Sequence, residues 1–324
     1  MRLSAPRLTR RCVGLLGKSR VDESMGLAVR RCQDICWSAA LFMLIALATL
    51  GLGHASAFSA DAGVVRPNLT KAFNVYTSGG SARVDHSDWD RLLKAYVKPS
   101  AHGVNLVDYK AFKSSGRAAL QAYIARLEVT SVGDLDRPEQ LAFWVNLYNA
   151  KTVDIILAHY PVASIREISL DDSLLGYLKK SVGAGGPWKV PVVRVNHQRL
   201  SLDNIEHNIL RPIFKDPRVH YAINCASMGC PNLQAYAFSG DAINAQLDTA
   251  ARAFINDPRG FAVHEGRIAA SSIYSWFQED FGGSEAGVLA HARQFANPAL
   301  KAKLRGRTKI EAFAYDWRLN DVAR

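Results

Sequence analysis

Cysteine is scarce in the greater part of this chain. Of the five cysteines in 324 residues, three precede residue 58 and only Cys225 and Cys230 follow it. Neither CxxC nor HxxxH spacing occurs, so the common zinc-binding patterns are missing. A zinc site assembled from Cys225, Cys230, His207 and His220 is therefore a minor alternative, and we expect neither a metal nor another cofactor.

The chain also lacks long runs of like charge, low-complexity tracts, fixed-period repeats and nucleic-acid-binding motifs. Residues 1–57 carry eight of the 40 Lys and Arg residues and three of the 29 Asp and Glu residues, so the net charge falls from +11 to +6 without them. This diffuse positive charge suits an anionic envelope surface at least as well as nucleic acid. We expect a small molecule or a peptide of the cell envelope as partner, and no nucleic acid; the oligomeric state stays open.

The apolar run at 38–53 is short for a membrane-spanning helix, which needs about 20 residues. It carries no charge, follows two arginines, and precedes Ala-Ser-Ala at 55–57. This order is typical of a secretory signal peptide and predicts cleavage before Phe58. The long positive region ahead of it indicates a start of synthesis at Met25. We therefore expect an exported protein, periplasmic or secreted. In the minority alternative the leader is not cleaved and anchors the protein in the membrane.

The rest of the chain, about 265 residues, is long enough for one sizeable core. Polar residues, a proline and Gly-Gly predict a linker or loose arm over 58–84, followed by one globular domain over 85–324. Apolar spacing and turn signals predict helices near 89–96, 114–127, 138–159, 203–214, 241–256 and from 271 onward, a strand at 218–224, and hairpins at 190–201 and 261–270. The predicted class is α+β, helix-rich with short antiparallel hairpins.

Three segments carry the residues best suited to chemistry. They read FWVNLYNA at 143–150, IEHNILR at 205–211 and NCASMGCP at 224–231. In this order and spacing they resemble the domain of unknown function 547 family, over roughly Trp89 to Trp276. The resemblance implies a family found in exported bacterial proteins and in eukaryotic proteins beside glutaredoxin, DEP or leucine-zipper segments. It implies no particular activity.

Cys225 follows the predicted strand at the start of a turn. A helix beginning there would offer unpaired N–H groups and a positive dipole end, and both would stabilise a thiolate or an oxyanion. The alternative is a buried, inert thiol. A disulfide with Cys230 is a further alternative, because an exported protein meets an oxidising compartment. The family resemblance ties the first cysteine to the motif more firmly than the second.

Glu206 and His207 open the helix predicted at 203–214. Asp203 and Glu206 have the spacing of a capping box, which would give Glu206 a structural task. His207 flanks an apolar stripe, and neither capping nor core packing requires an imidazole there. Because histidine titrates near neutral pH, His207 is a candidate base or ligand-binding residue.

The two amides Asn146 and Asn149 lie three residues apart and share one face of an otherwise apolar helix. Buried amides need hydrogen-bond partners, so they either bond to backbone or position a ligand or a histidine. Further candidates for ligand binding are Trp144, Tyr148, Asn224 and Ser227.

The working hypothesis is a thiol site with Cys225 as nucleophile and His207 as base. Glu206 or the amides Asn146 and Asn149 would orient the histidine or polarise the substrate. The reaction would be hydrolysis or transfer at an amide or a thioester. The order of histidine before cysteine is similar to that in circularly permuted papain-like enzymes. The alternatives are a non-catalytic module that binds a small thiol, glutathione for example, or a peptide, and a redox or structural disulfide protein.

Other residues near these segments are assigned simpler tasks. The glycines at 183–186 follow no strand and lack a phosphate-loop lysine, so they predict a flexible loop near the site. Trp276, Phe277 and Phe281 are assigned to the core. Asp280 is assigned to a solvated helix end rather than to a histidine.

Overall fold

The structure is a computed structural model that describes residues 68–100, 102–170 and 186–323. The predicted signal peptide, the start at Met25, residues 58–67 of the predicted linker and the glycines at 183–185 lie outside the described residues. Within the described ranges, no helix combines the length and the hydropathy needed to cross a membrane.

Helices dominate the described residues. The α-helices are α1 (Leu69–Phe73), α2 (Ser87–Tyr96), α3 (Arg117–Glu128), α4 (Arg137–His159), α5 (Val219–Ala222), α6 (Ile243–Ile255), α7 (Ile273–Trp276), α8 (Glu285–Phe295) and α9 (Pro298–Lys303). Two π-helices, Phe112–Gly116 and Ile205–Phe214, continue from the short α-helical turns Tyr109–Ala111 and Leu202–Asn204. The 3₁₀ turns are Val132–Asp134, Ile165–Glu167, Gly240–Ala242 and Gln278–Phe281.

The strands are short and form three small sheets. They are β1 (Val97–Pro99), β2 (Asn105–Val107), β3 (Val193–Val195), β4 (Gln198–Leu200), β5 (Phe261–His264), β6 (Arg267–Ser271) and β7 (Ala312–Ala314). β1–β2, β3–β4 and β5–β6 are antiparallel pairs, and β7 adds to β6 in parallel. The α+β class with short hairpins is thereby confirmed.

The turns of the two predicted hairpins have the backbone that their residues predict. Asn196 and His197 join β3 to β4 with φ of 45° and 64°, and Glu265 and Gly266 join β5 to β6 with φ of 50° and 75°. Left-handed pairs of this kind match the twist of two-residue hairpins. Both hairpin predictions are confirmed.

Helix α4 is the centre of the core, as its all-round apolar sequence predicts. Asp136 caps it by accepting a hydrogen bond from the backbone N–H of Glu139. From residue 139 to residue 157 every side chain except Lys151 is buried. A second apolar cluster surrounds the β5–β7 sheet and α8, and α6 contributes to both clusters.

The strand predicted over 218–224 is wrong. Asp216 accepts a hydrogen bond from the backbone N–H of Arg218, and α5 follows from Val219 to Ala222. All four residues of α5 are buried, so the alternation of apolar residues that suggested a strand does not separate an inner from an outer face.

Part of the predicted loose arm packs onto the domain. In α1, Phe73 is buried, and its ring meets Trp144 edge to face at 5.0 Å. Thr70 donates a hydrogen bond to the carbonyl of Asn208 at 2.6 Å. Helix α1 is therefore part of the folded domain and contacts the π-helix that carries two candidate site residues.

Candidate active site

A cavity of about 460 Å³ lies between the α4 core and the sheet side of the molecule. Five residues predicted for the site line it: Cys225 and its possible disulfide partner Cys230, Glu206, His207 and Tyr148. Rings form much of the remaining wall: Trp188, Trp276, Phe277, Tyr315 and Trp317. The fold thus brings the middle and last motifs, with one residue of the first, to a single cavity.

The loop that carries Cys225 is shaped by its own side chains. Ala226 has φ of 60°, a left-handed conformation that is strained for a residue with a Cβ. The Asn224 side chain holds this turn by accepting from the N–H of Ala226 at 2.8 Å and donating to the carbonyl of Pro231 at 2.7 Å. Asn224 therefore forms the loop, and it does not line the cavity.

The C-terminal end of the chain clamps the same loop from outside. The N–H of Met228 donates to the carbonyl of Arg318, and that of Gly229 to the carbonyl of Asp316, both at 2.8 Å. A Cβ at position 229 would lie 2.6 Å from the backbone nitrogen of Asp316, so only glycine permits this approach. The Arg259 guanidinium donates to two carbonyls of the loop.

Three polar groups able to form hydrogen bonds surround the sulfur of Cys225. The Tyr315 hydroxyl lies 2.9 Å from Sγ, the Cys230 sulfur 3.1 Å and the Ser227 hydroxyl 3.3 Å. The pKa of Cys225 falls to about 7, chiefly because of the hydrogen bond with Cys230. Burial opposes this fall, and the hydrogen bonds with Ser227 and Tyr315 add to it. Of the two alternatives for the segment after Cys225, a loop or a helix start, the structure has the loop, so thiol and hydroxyl groups take the place of a helix dipole.

Cys230 differs from Cys225 although the two sulfurs are neighbours. Cys230 is buried, and burial raises the pKa of its thiol. Its sulfur also accepts the backbone N–H of Cys225 at 3.0 Å. Both cysteines are free thiols here, separated by more than the roughly 2.05 Å of a disulfide bond. The pair therefore consists of one readily ionised sulfur and one neutral donor.

Glu206 faces the cavity instead of capping its helix. The predicted capping box is wrong by two residues: Ser201 is the cap, and its side chain and that of Asn204 bond each other's backbone N–H. Glu206 is free of that task, and the Tyr148 hydroxyl donates to it at 3.3 Å. Burial, and next the negative charge of Cys225, raise the pKa of Glu206 to about 7.

His207 lies on the cavity wall, and its polar contacts are with Arg211 and Asp203. Nδ1 accepts a hydrogen bond from Arg211 at 2.8 Å, because a guanidinium can only donate. Nε2 lies 3.6 Å from the Asp203 carboxylate. Burial lowers the pKa of His207. No hydrogen bond joins it to Cys225 among the described residues, and its lone pair is occupied, so the contacts give no direct support to the predicted base.

Another histidine, His220, is held more tightly. Its Nε2 lies 2.7 Å from Asp280 Oδ2, and Arg211 binds the same carboxylate through two nitrogens at 2.5 and 3.1 Å. Although burial raises it, the pKa of Asp280 ends well below its usual range because His220 and Arg211 donate to the carboxylate. The assignment of Asp280 to a solvated helix end is wrong.

Comparison with protein families identifies the middle of the chain. Residues 132–255 match the model of a family described as protein of unknown function, DUF547. This segment belongs to the DUF547 family. Neither the curated proteins nor the solved structures gave a match to the chain.

The DUF547 segment contains Tyr148, Glu206, His220 and Cys225, but not the whole cavity wall. The wall rings Trp276, Phe277, Tyr315 and Trp317 lie beyond the end of this segment, as does Asp280, the partner of His220. The matched segment is also shorter than the family core expected from the sequence, which runs from Trp89 to Trp276. The described residues contain no group of three or more His, Cys, Asp or Glu side chains arranged to hold a metal ion.

The two amides predicted for the site, Asn146 and Asn149, bond to backbone. Asn146 pairs with both backbone groups of Phe238, at 2.8 and 3.0 Å. Asn149 donates to the carbonyl of Ala222 and accepts from the N–H of Asn224, both at 2.8 Å. Neither amide lines the cavity, nor does the wholly buried Trp144. Asn149 nevertheless fixes the backbone directly ahead of Cys225.

The aromatic wall comes largely from residues that the sequence analysis missed or placed in the core. Trp276 is 49% exposed, so its assignment to the core is wrong, whereas Phe281 is buried as predicted. The Trp276 ring stacks on Trp317 at 5.7 Å and lies 4.9 Å from Tyr315. Tyr315 and Trp317 lie two residues apart in the sequence, and this pair of aromatic residues was the signal that could have indicated the wall.

Proposed function

We propose that this cavity is the active site of a thiol-dependent enzyme that hydrolyses or transfers an acyl group at an amide or a thioester. The observation that carries the proposal is the ionisable sulfur of Cys225 on the cavity wall. With a pKa of about 7, roughly half of the Cys225 thiols are ionised at neutral pH, against a few per cent for an unperturbed cysteine.

The first step is attack of the Cys225 thiolate on the acyl carbon. A carbon–sulfur bond forms, the carbonyl electron pair moves to oxygen, and the tetrahedral intermediate collapses by expelling the amine or thiol. That leaving group takes a proton from Glu206. A carboxyl with a pKa of about 7 is protonated in about half of the molecules at neutral pH, which suits a general acid.

The second step is hydrolysis of the acyl-enzyme. Water adds to the acyl carbon, the carbon–sulfur bond breaks, and Cys225 leaves as a thiolate that its donors stabilise. The proton lost by water returns to the Glu206 carboxylate, so the enzyme ends as it began. If an amine or a thiol takes the place of water, the same steps give transfer.

The proposed substrate is an envelope peptide or a thioester of comparable size. The cavity volume of about 460 Å³ falls in the range of small-ligand sites, so it admits a short part of a longer chain. The leader pattern at 38–57 supports export, and an exported enzyme would meet such substrates.

A redox role is the second candidate, because the sulfurs of Cys225 and Cys230 lie 3.1 Å apart. A peroxide would oxidise the Cys225 thiolate to a sulfenic acid with release of one water. Attack by the Cys230 thiol would release a second water and leave a disulfide. A mass two hydrogens lower, formed faster than any acyl adduct, would favour this role.

Acyl transfer can be tested with p-nitrophenyl acetate as the probe. We expect a burst of p-nitrophenolate and one acetyl group on the protein, mapped by peptide mass spectrometry to Cys225. The buried Cys230 should carry none. Saturable binding of a small thiol with no acetyl group on Cys225 would contradict the enzyme and favour a binding module.

A further inference from the structure

His220 is a residue of the cavity wall with one ring nitrogen that bonds to no other described residue. The histidine is 3% exposed, and its Nε2 is bonded to Asp280. Its Nδ1 has no hydrogen-bond partner among the described residues, yet it is not among the polar atoms sealed from solvent. His220 lines the same cavity as Cys225 and Glu206, and because Nε2 is bonded to Asp280, Nδ1 is the ring nitrogen left for a molecule bound there.

The hydrogen bond with Asp280 decides which nitrogen of His220 carries the proton. Two nitrogens of Arg211 and the imidazole keep the Asp280 carboxylate ionised, and an ionised carboxylate only accepts. Nε2 of His220 must therefore carry the hydrogen. In the neutral ring Nδ1 then has a lone pair, which is the state of a proton acceptor.

The surroundings keep the ring neutral and fixed. Burial lowers the pKa of His220, Asp280 opposes this, and the positive charges of Arg211 and His207 lower it further. His291 of α8 also couples to His220. The ring stacks on Phe277 at 4.3 Å, which holds its orientation.

We propose that His220 is the base of the second step in the function proposed above, on which this inference rests. Nδ1 takes the proton from the water that attacks the acyl carbon on Cys225, while the carbon–sulfur bond breaks and the thiolate departs. The imidazolium then passes its proton to Glu206, which lost one in the first step. Asp280 is a positioning residue, because it acts only through His220.

The test separates the two steps with His220→Gln and p-nitrophenyl acetate. The glutamine nitrogen can still donate to Asp280, but it cannot accept a proton at neutral pH. The leaving p-nitrophenolate needs no proton, so the burst of acylation should remain. Deacylation should slow by about 100-fold, the usual contribution of a general base, and acetyl-Cys225 should accumulate.

Asp280→Asn provides a second variant, which stands in if His220→Gln does not fold. Its amide no longer forces the proton onto Nε2, so deacylation should slow by at least about 10-fold with the acylation burst retained. A merely structural role for Asp280 would instead change both steps together, or change only the thermal unfolding curve.

The outcomes distinguish the two proposals. Accumulation of acetyl-Cys225 in either variant supports His220 as the base. Loss of the acetyl group at the wild-type rate in both variants overturns that role and leaves the thiol enzyme intact. Absence of any acetyl group on Cys225 in the wild-type protein overturns the proposed function, and this inference with it.

Discussion

The Cys225→Ser protein should lose p-nitrophenyl acetate cleavage by at least about 100-fold, while its free energy of unfolding stays within about 1 kcal/mol of the wild-type value. The loss follows because a serine hydroxyl, unlike the Cys225 thiol with its pKa of about 7, is not ionised near neutral pH. Stability should hold because Cys225 is only partly buried and serine is slightly smaller. Stopped-flow release of p-nitrophenolate and denaturant unfolding measure the two quantities.

Ser227→Ala is the matched control for this variant. It removes a hydroxyl 3.3 Å from the Cys225 sulfur but leaves the nucleophile in place. The pKa of Cys225 should therefore rise, and cleavage at pH 7 should fall far less than in Cys225→Ser. Equal loss of activity and of folding in Cys225→Ser would mean instead that Cys225 belongs to the core.

The Glu206→Gln protein should be more stable than the wild-type protein at pH 8, by about 3 kcal/mol. The gain comes from removing a buried negative charge beside the Cys225 thiolate. Glutamine matches the shape of the protonated carboxyl, and its oxygen can still accept from the Tyr148 hydroxyl. Urea unfolding at pH 4.5 and at pH 8 measures the effect.

The sign of the pH dependence follows from the raised pKa of Glu206. Its pKa is about 7 in the folded protein and near 4.5 in the unfolded chain. The stability associated with its protonated form is fully present below pH 4.5 and is lost as the pH rises through 7. The advantage of the glutamine variant should thus be small at pH 4.5, about 0.4 kcal/mol, and nearly complete by pH 8. A constant difference at both pH values would contradict the raised pKa.

Glu139→Gln is the control for a buried carboxylate that has a structural task. Glu139 is 2% exposed and accepts the backbone N–H groups of Val84 and Gly240 at 2.9 and 3.1 Å. A glutamine would turn an N–H₂ group towards one of these donors, so this variant should lose stability. Comparison of the two variants distinguishes a buried carboxylate that stabilises the folded protein, Glu139, from one that destabilises it at pH 8, Glu206.

Local signals in the sequence were sufficient for the helices and hairpins. Asn196-His197 and Glu265-Gly266 are turn residues flanked by apolar strands, and Pro138 and Pro161 mark the two ends of α4. Strand β7 was missed because its parallel partner β6 lies more than 40 residues earlier, and no short pattern encodes such a pairing.

The sequence predicted only part of the candidate site, because local signals mark some of its residues and not others. Cys225, Glu206 and His207 sit in motifs whose residue types do not suit their apolar surroundings, and the fold brings them to one cavity. Asn146 and Asn149 show the same misfit, but they resolve it by bonding to backbone. Sequence alone does not distinguish these two outcomes.

The missing part of the site depends on contacts between distant segments. Asp280 reaches His220 across 60 residues, and Tyr315 reaches Cys225 across 90. The backbone of residues 316–319 bonds to the Cys225 loop, and these bonds hold Tyr315 beside the sulfur. Such neighbours become visible only when the chain is folded.

The most direct test of the central claim is the pH dependence of Cys225 alkylation. The reduced protein is treated with iodoacetamide between pH 5 and pH 10, and labelling is followed by intact mass and peptide mapping. We expect one label on Cys225, with a rate whose midpoint lies near pH 7. A midpoint at or above about 8.5, the value of an ordinary cysteine, or no labelling of Cys225 would contradict it.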